Sequence, residues 1–169
     1  MARRFRGESV HKVDAKGRVS IPAPFRRVLE EGDPDWTDGL NPNLVIIHGR
    51  TERPRLECFT IRAIDEIDRI VATYPAFSEE REELEYFLNT QSVYASVDEN
   101  GRIVLGQKLR DAINLKDEAV FAGMGESFHV WEPSAYAADL AQRAERRTSA
   151  GRPDLFALLD RSRLPGGTS

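Results

Sequence analysis

The residues best suited to chemistry in this chain are an aspartate and an arginine four positions apart, and the pair occurs twice. Asp14 precedes Arg18 in "DAKGRVSIP", and Asp98 precedes Arg102 in "DENGRIVLG". An aspartate so placed accepts hydrogen bonds from backbone amides just downstream and thereby nucleates a turn. Gly17 and Gly101 can take the positive φ that a type I turn with a following bulge needs between two strands. Arg18 and Arg102 then stand at the first position of the return strand. Lys12 and Lys16 surround the first arginine, whereas Glu99 and Asn100 precede the second. Cations gathered on a turn can neutralise phosphates, and arginine is the side chain that reads a guanine edge with two parallel hydrogen bonds. Asp14 is better suited to orienting Arg18 than to touching a polyanion. The competing reading is structural: each aspartate pairs with its arginine across a turn and does nothing more.

The rest of the chain offers no constellation for catalysis. His11, His48 and His129 are widely spaced, without a metal-ligand pattern, and no nucleophile–base pair or phosphate loop is evident. The stretch "GMGES" is too short for a dinucleotide fingerprint and reads as a hairpin turn. The expectation is a protein that is not an enzyme, with no catalytic residue, no metal ligand and no cofactor. Cys58, the one cysteine, sits in "LECFTI" and reads as a core thiol in a reducing compartment. No run of 18 apolar residues occurs, and "MARRFRGESVHK" lacks the apolar segment of a secretory signal, so a cytosolic protein is expected.

The elements that must position the two turns repeat with them. At an offset of 84, "VDAKGRVSIPAPFRRVL" and "VDENGRIVLGQKLRDAI" share Val, Asp, Gly, Arg and a later Arg. Their apolar positions also correspond: Val19 with Ile103, Ile21 with Leu105, Phe25 with Leu109, Leu29 with Ile113. Downstream, "NLVIIHG" and "EAVFAGMG" read as strands ending in glycine turns, and "LECF" and "FHVW" as the strands that follow. Each copy then continues into a helical pattern, "TIRAIDEIDRIV" and "PSAYAADLAQRAERR". Such ordered self-similarity marks a tandem repeat. Pro24 suits the first turn of a short helix carrying Phe25, Val28 and Leu29. Four short strands make a marginal sheet alone, so the two copies are expected to share one core. Between them "FSEEREELEYFLNTQ" reads as a helix capped by Ser78, with Leu84, Phe87 and Leu88 as its apolar stripe. Residues 30–43 read as a surface loop and "RSRLPGGTS" as a loose tail. The expected division is a first repeat over 8–60, a helical connector over 61–91, a second repeat over 92–135, and a C-terminal helix with flexible tail over 136–169.

The net charge of −4 hides an uneven distribution. Residues 1–29 hold eight Lys/Arg against two acids, residues 30–100 hold six against seventeen, and residues 101–169 hold ten against nine. A chain so divided can offer a basic face to a polyanion while staying soluble.

With both turns in view, the chain resembles the MraZ family of bacterial transcriptional regulators, which are built from two SpoVT-AbrB-type units. The carrying residues are Asp14-Ala15-Lys16-Gly17-Arg18 and Asp98-Glu99-Asn100-Gly101-Arg102, with "GRVSIPAPFR" and "FHVWEPSAY" beside them, and the likeness covers roughly residues 5–147. The resemblance implies an α+β fold of tandem swapped-hairpin AbrB-like β-barrel units with helices around them. It implies a cytoplasmic, nucleoid-associated regulator binding double-stranded DNA at short G-rich direct repeats in its own promoter, ahead of the division and cell-wall gene cluster. It also implies a ring-shaped homo-oligomer, an octamer or larger, and no membrane partner. The expected DNA-binding residues are Lys12, Asp14, Lys16, Gly17 and Arg18, with Asp98, Gly101 and Arg102 from the second copy. Gly106-Gln107 stands where the family often has a proline. Two other classes fit the residues: an AbrB-fold antitoxin-type regulator, and a ring-forming protein-interaction module.

Overall fold

Short apolar runs such as Leu44–Ile47 set the central strands, and the turn glycines and prolines set where they stop. The computed structural model describes residues 3–50, 52–151 and 154–161. In the first repeat, strands β1 (Glu8–Lys12) and β2 (Arg18–Ser20) flank the Asp14 turn and helix α1 (Ala23–Glu31) follows. Strands β3 (Asn43–Ile47) and β4 (Arg55–Thr60) come next. The connector holds α2 (Ile61–Val71) and α3 (Glu79–Thr90). The second repeat runs through β5 (Ser92–Ser96), β6 (Arg102–Val104), α4 (Gln107–Ala112), β7 (Glu118–Gly123) and β8 (Ser127–Trp131). The compact unit containing both repeats ends at Pro133; a second unit begins at Ser134 and holds most of α5 (Pro133–Ser149), and α6 (Phe156–Arg161). Residues 162–169, most of the expected flexible tail, lie outside the described residues.

The strands make an α+β architecture in which the repeats interleave. A six-stranded antiparallel sheet has the order β1-β7-β8-β4-β3-β5, and β2 and β6 form a two-stranded ribbon of their own. Strand β1 of the first repeat thus adds to the β7–β8 hairpin of the second, with Val10 opposite Val120. Strand β5 of the second repeat adds to β3 of the first, with Val45 opposite Tyr94. The ribbon sets Val19 opposite Ile103. The expectation of β-barrel units is corrected here: the described strands do not close a barrel. Strands β2 and β6 span three residues each and pair with one another, so β1 and β5 remain edges of an open sheet.

One core serves both copies. Val19, Ile21, Phe25, Val28 and Leu29 of the first repeat and Ile103, Leu105, Leu109 and Ile113 of the second pack into a single buried cluster. Phe5 anchors it, with its ring 5.2 Å from Phe25 and 5.0 Å from Phe128, while its backbone exchanges hydrogen bonds with Gly125 in the β7–β8 turn. Burying a phenylalanine contributes about 1.5–3 kcal/mol, so Phe5 holds the N-terminal segment more firmly than the two backbone bonds alone. Cys58 lies in this core, where burial pushes its thiol pKa up and keeps it protonated.

A smaller cluster on the other sheet face joins Val45 and Ile47 to Ile64, Ile67, Phe87 and Leu88 of the connector. The expected cap forms, with Ser78 Oγ accepting the Arg81 amide at 3.3 Å; Thr60 caps α2 in the same way, its Oγ1 accepting the Ala63 amide at 3.0 Å. Loop 30–43 is more organised than its composition implies, because α1 extends to Glu31 and Asp33 is buried beneath the loop. One Asp33 oxygen accepts the Asp35 amide and the other the Asn43 amide, fixing the approach to β3.

Candidate nucleic-acid interface

Both turns form as their residue types require. The Asp14 carbonyl accepts the Gly17 amide at 2.9 Å, and the Lys16 and Arg18 amides donate to Asp14 Oδ1 at 3.0 and 2.9 Å. In the second copy the Asp98 carbonyl accepts the Gly101 amide at 3.0 Å, and Asp98 Oδ1 accepts the Asn100 and Arg102 amides at 2.8 and 3.0 Å. Gly17 has φ +83° and Gly101 φ +75°. A carboxylate that accepts several amides favours its charged form. The pKa of Asp14 is accordingly lowered, first by the Arg18 amide and then by its guanidinium, and that of Asp98 is lowered chiefly by the Arg102 amide.

The β2–β6 ribbon then ties the turns to each other. The Leu105 amide donates to the Gly17 carbonyl at 2.7 Å, and the Ile21 amide to the Gly101 carbonyl at 2.9 Å. These bonds are equivalent under the repeat, so the ribbon has a local two-fold character. Arg18 and Arg102 are therefore held on one small platform.

The side chains differ. Arg18 Nε donates to Asp14 Oδ2 at 2.6 Å, a short charge-assisted bond. Arg102 Nε stands 3.5 Å from Asp98 Oδ2 and is buried with no hydrogen-bond partner among the described residues. Because Asp14 engages Nε, the two terminal nitrogens of Arg18 remain as the parallel donors that a guanine edge requires.

Lys12, Asp14, Arg18, Ser20 and Arg102 line one open depression, together with Val13, Asp117 and Glu118. Lys16 lies outside that lining but is exposed, as is Lys12. Asp98, Gly17 and Gly101 form the turn frames and do not line the depression. Sequence reasoning missed Asp117 and Glu118. The register places Glu118 directly opposite Lys12, a pairing of distant segments that no local pattern reveals. These two acids offset part of the cationic charge, so a single copy of the platform attracts a polyanion only modestly.

No group of three or more potential metal-ligating side chains occurs among the described residues, and no helix among them is long and apolar enough to cross a membrane. His48 is buried and its pKa is lowered by desolvation and by the charge of Lys108, which suits a neutral core histidine. His11 packs its ring 5.1 Å from Phe121 and contacts Ser9 Oγ at 2.7 Å.

These features define a class: two-repeat α+β proteins whose strands interleave and whose paired Asp-x-x-x-Arg turns meet on a ribbon. A family model described as "MraZ protein, putative antitoxin-like" matches residues 4–49 and 87–156. The transcriptional regulator MraZ of Ruegeria pomeroyi is 57% identical over 136 residues, covering 80% of this chain and 81% of that protein. The transcriptional regulator MraZ of Cereibacter sphaeroides is 39% identical over 171 residues, covering 97% of this chain and 100% of its own. That of Xanthobacter autotrophicus is 39% identical over 143 residues, covering 85% and 86%. The chain belongs to the MraZ family.

Proposed function

We propose that this chain is a DNA-binding transcriptional regulator that grips double-stranded DNA with its paired turns. In this reading Arg18 contacts a guanine edge, Lys12 and Lys16 contact phosphates, Asp14 and Gly17 frame Arg18, and Asp98, Gly101 and Arg102 form the second contact. The observation that carries the reading is the ribbon, which brings Arg18, Arg102 and Lys12 to one depression on a platform fixed by backbone bonds. The naming of its relatives as transcriptional regulators supports it.

The finer parts of the proposal follow from chemistry and from the family resemblance. The target is a set of short G-rich direct repeats in the chain's own promoter, ahead of the division and cell-wall genes, and the protein works in the cytoplasm on the nucleoid. Residues 8–60 and 92–135 act as two swapped-hairpin units joined by the 61–91 connector. Strand β1 adding to β7–β8, and β5 to β3, supports that swap. The modest charge of one platform argues for repetition. A ring of eight or more copies presents the platform many times, and a second contact made from the same assembly gains from a high effective concentration.

The experiment is a titration by fluorescence anisotropy against DNA from upstream of the chain's own gene, against the same DNA with one repeat left, and against a scrambled duplex. The reading predicts specific binding that rises steeply with the second repeat. Equal affinity for the scrambled duplex would remove it.

A further inference from the structure

Arg26 on α1 and Arg110 on α4 occupy equivalent places in the two repeats, 84 residues apart, yet they do different things. Arg26 Nη1 reaches across to the other repeat and donates to the Asp98 carbonyl at 2.6 Å. That carbonyl is the acceptor on which the second turn closes, since it also takes the Gly101 amide. Arg110 Nε instead donates to Leu105 within its own repeat at 2.9 Å. The Asp14 carbonyl receives no side-chain donor among the described residues.

We propose that Arg26 is the positioning residue of the second turn. A guanidinium bond to the Asp98 carbonyl fixes the Asp98 backbone, and with it the carboxylate that holds the Asn100 and Arg102 amides. Arg26 is suited to the task because its side chain is only 25% exposed and its Nε stands 3.5 Å from Glu30 Oε2, which restrains the rotamer. The second turn needs such help. Its own arginine lies 3.5 Å from Asp98, whereas the first turn is closed internally at 2.6 Å. The ribbon bonds join each turn to the other repeat, but the first turn also closes its own ion pair, whereas the second takes a side-chain bond from the repeat it does not belong to. The functional half of this inference rests on the DNA-binding reading; the structural half does not.

The test uses the full chain with Arg26→Ala and, to preserve the packing of the side-chain stem, Arg26→Met. Hydrogen exchange by NMR should show the Gly101 and Arg102 amides exchanging about tenfold faster, the size expected when a hydrogen bond to a charged group is lost. Gly17 and Arg18 should keep their wild-type rates, and Arg26→Lys should restore part of the protection at Gly101. Equal acceleration at both turns, or none at Gly101, would overturn the assignment. On promoter DNA, Arg26→Met should add little to the loss caused by Arg102→Ala but should add fully to that of Arg18→Ala. Additivity with both would mean a general structural role and would also overturn it. A wild-type protein that binds no DNA would refute the DNA-binding reading alone, and the exchange data would still decide the role of Arg26.

Discussion

The Asp14 and Asp98 turns share a backbone and differ in almost everything attached to it. Each closes with an aspartate carbonyl accepting a glycine amide, and each aspartate gathers two further amides on Oδ1. Exposure does not separate them, since Arg18 and Arg102 side chains are 40% and 34% exposed. Their ion pairs do: 2.6 Å in the first turn and 3.5 Å in the second. So does their charge, with Lys12 and Lys16 near one and Glu99 and Asn100 in the other. The comparison separates two jobs of the aspartate. Organising the turn requires its carbonyl and one carboxylate oxygen, and both copies do this. Holding the arginine ready requires the other oxygen, and the first copy does this more tightly.

The largest contrast should come from the glycines. A methyl group on Gly17 would lie 2.0 Å from the Leu105 carbonyl oxygen, the acceptor of Arg110 Nε, whereas one on Gly101 would meet nothing within 4 Å. Both substitutions carry the left-handed backbone cost of about 1–2 kcal/mol, and Gly17→Ala adds a backbone clash. Gly17→Ala should therefore destabilise the fold by more than about 3 kcal/mol in denaturant unfolding, and Gly101→Ala by about 1–2 kcal/mol. Equal losses would mean that the ribbon tolerates a shift at Leu105.

Charge gives a smaller contrast. Lys16→Ala should weaken binding alike on all duplexes and reduce the slope of log affinity against log salt by about 1. Glu99→Lys should strengthen binding by bringing a cation to the poorer turn, and a salt series with both variants checks the pair. An unchanged slope for Lys16→Ala would take that lysine out of contact with phosphate.

The smallest contrast lies in the carboxylates. Both have lowered pKa values, so the stability they contribute is complete above the ordinary aspartate range and is lost as pH falls through the lowered values. Arg18→Ala should let the Asp14 pKa rise part of the way back, since the leading cause, the Arg18 amide, remains. Arg102→Ala should move Asp98 less, because the Arg102 guanidinium contributes least to the lowering there. Carboxyl carbon NMR during a pH titration reads both, and a larger rise at Asp98 would reverse the ranking of the ion pairs.

Local chemistry made the turns legible in the sequence. Aspartate, glycine and arginine at fixed spacing specify the bonds around Asp14 and Asp98, and the offset of 84 aligned the strands and core positions that the structure contains. The interleaving was not legible, because β1 meets β7 and β2 meets β6 across more than 80 residues, and such pairings are chosen by packing in the shared core. Separation along the chain also concealed Glu118 opposite Lys12 and the reach of Arg26 to Asp98, 72 residues away. A trace of the latter was present: Arg26 and Arg110 are the later arginine shared by the two copies. Loop 30–43 misled for a different reason, since its order depends on one buried carboxylate, Asp33, within a stretch of turn-forming residues.

The role of Arg18 as the main DNA contact is tested most directly by one side-by-side titration. Wild type, Arg18→Ala and Arg102→Ala, each verified as folded and assembled by circular dichroism and light scattering, are titrated against DNA from upstream of the chain's own gene at one salt concentration. Arg18→Ala should weaken specific binding by about 1–3 kcal/mol, and Arg102→Ala should weaken it by less. Wild-type affinity in a folded Arg18→Ala protein, or a loss from Arg102→Ala as large as that from Arg18→Ala, would contradict it.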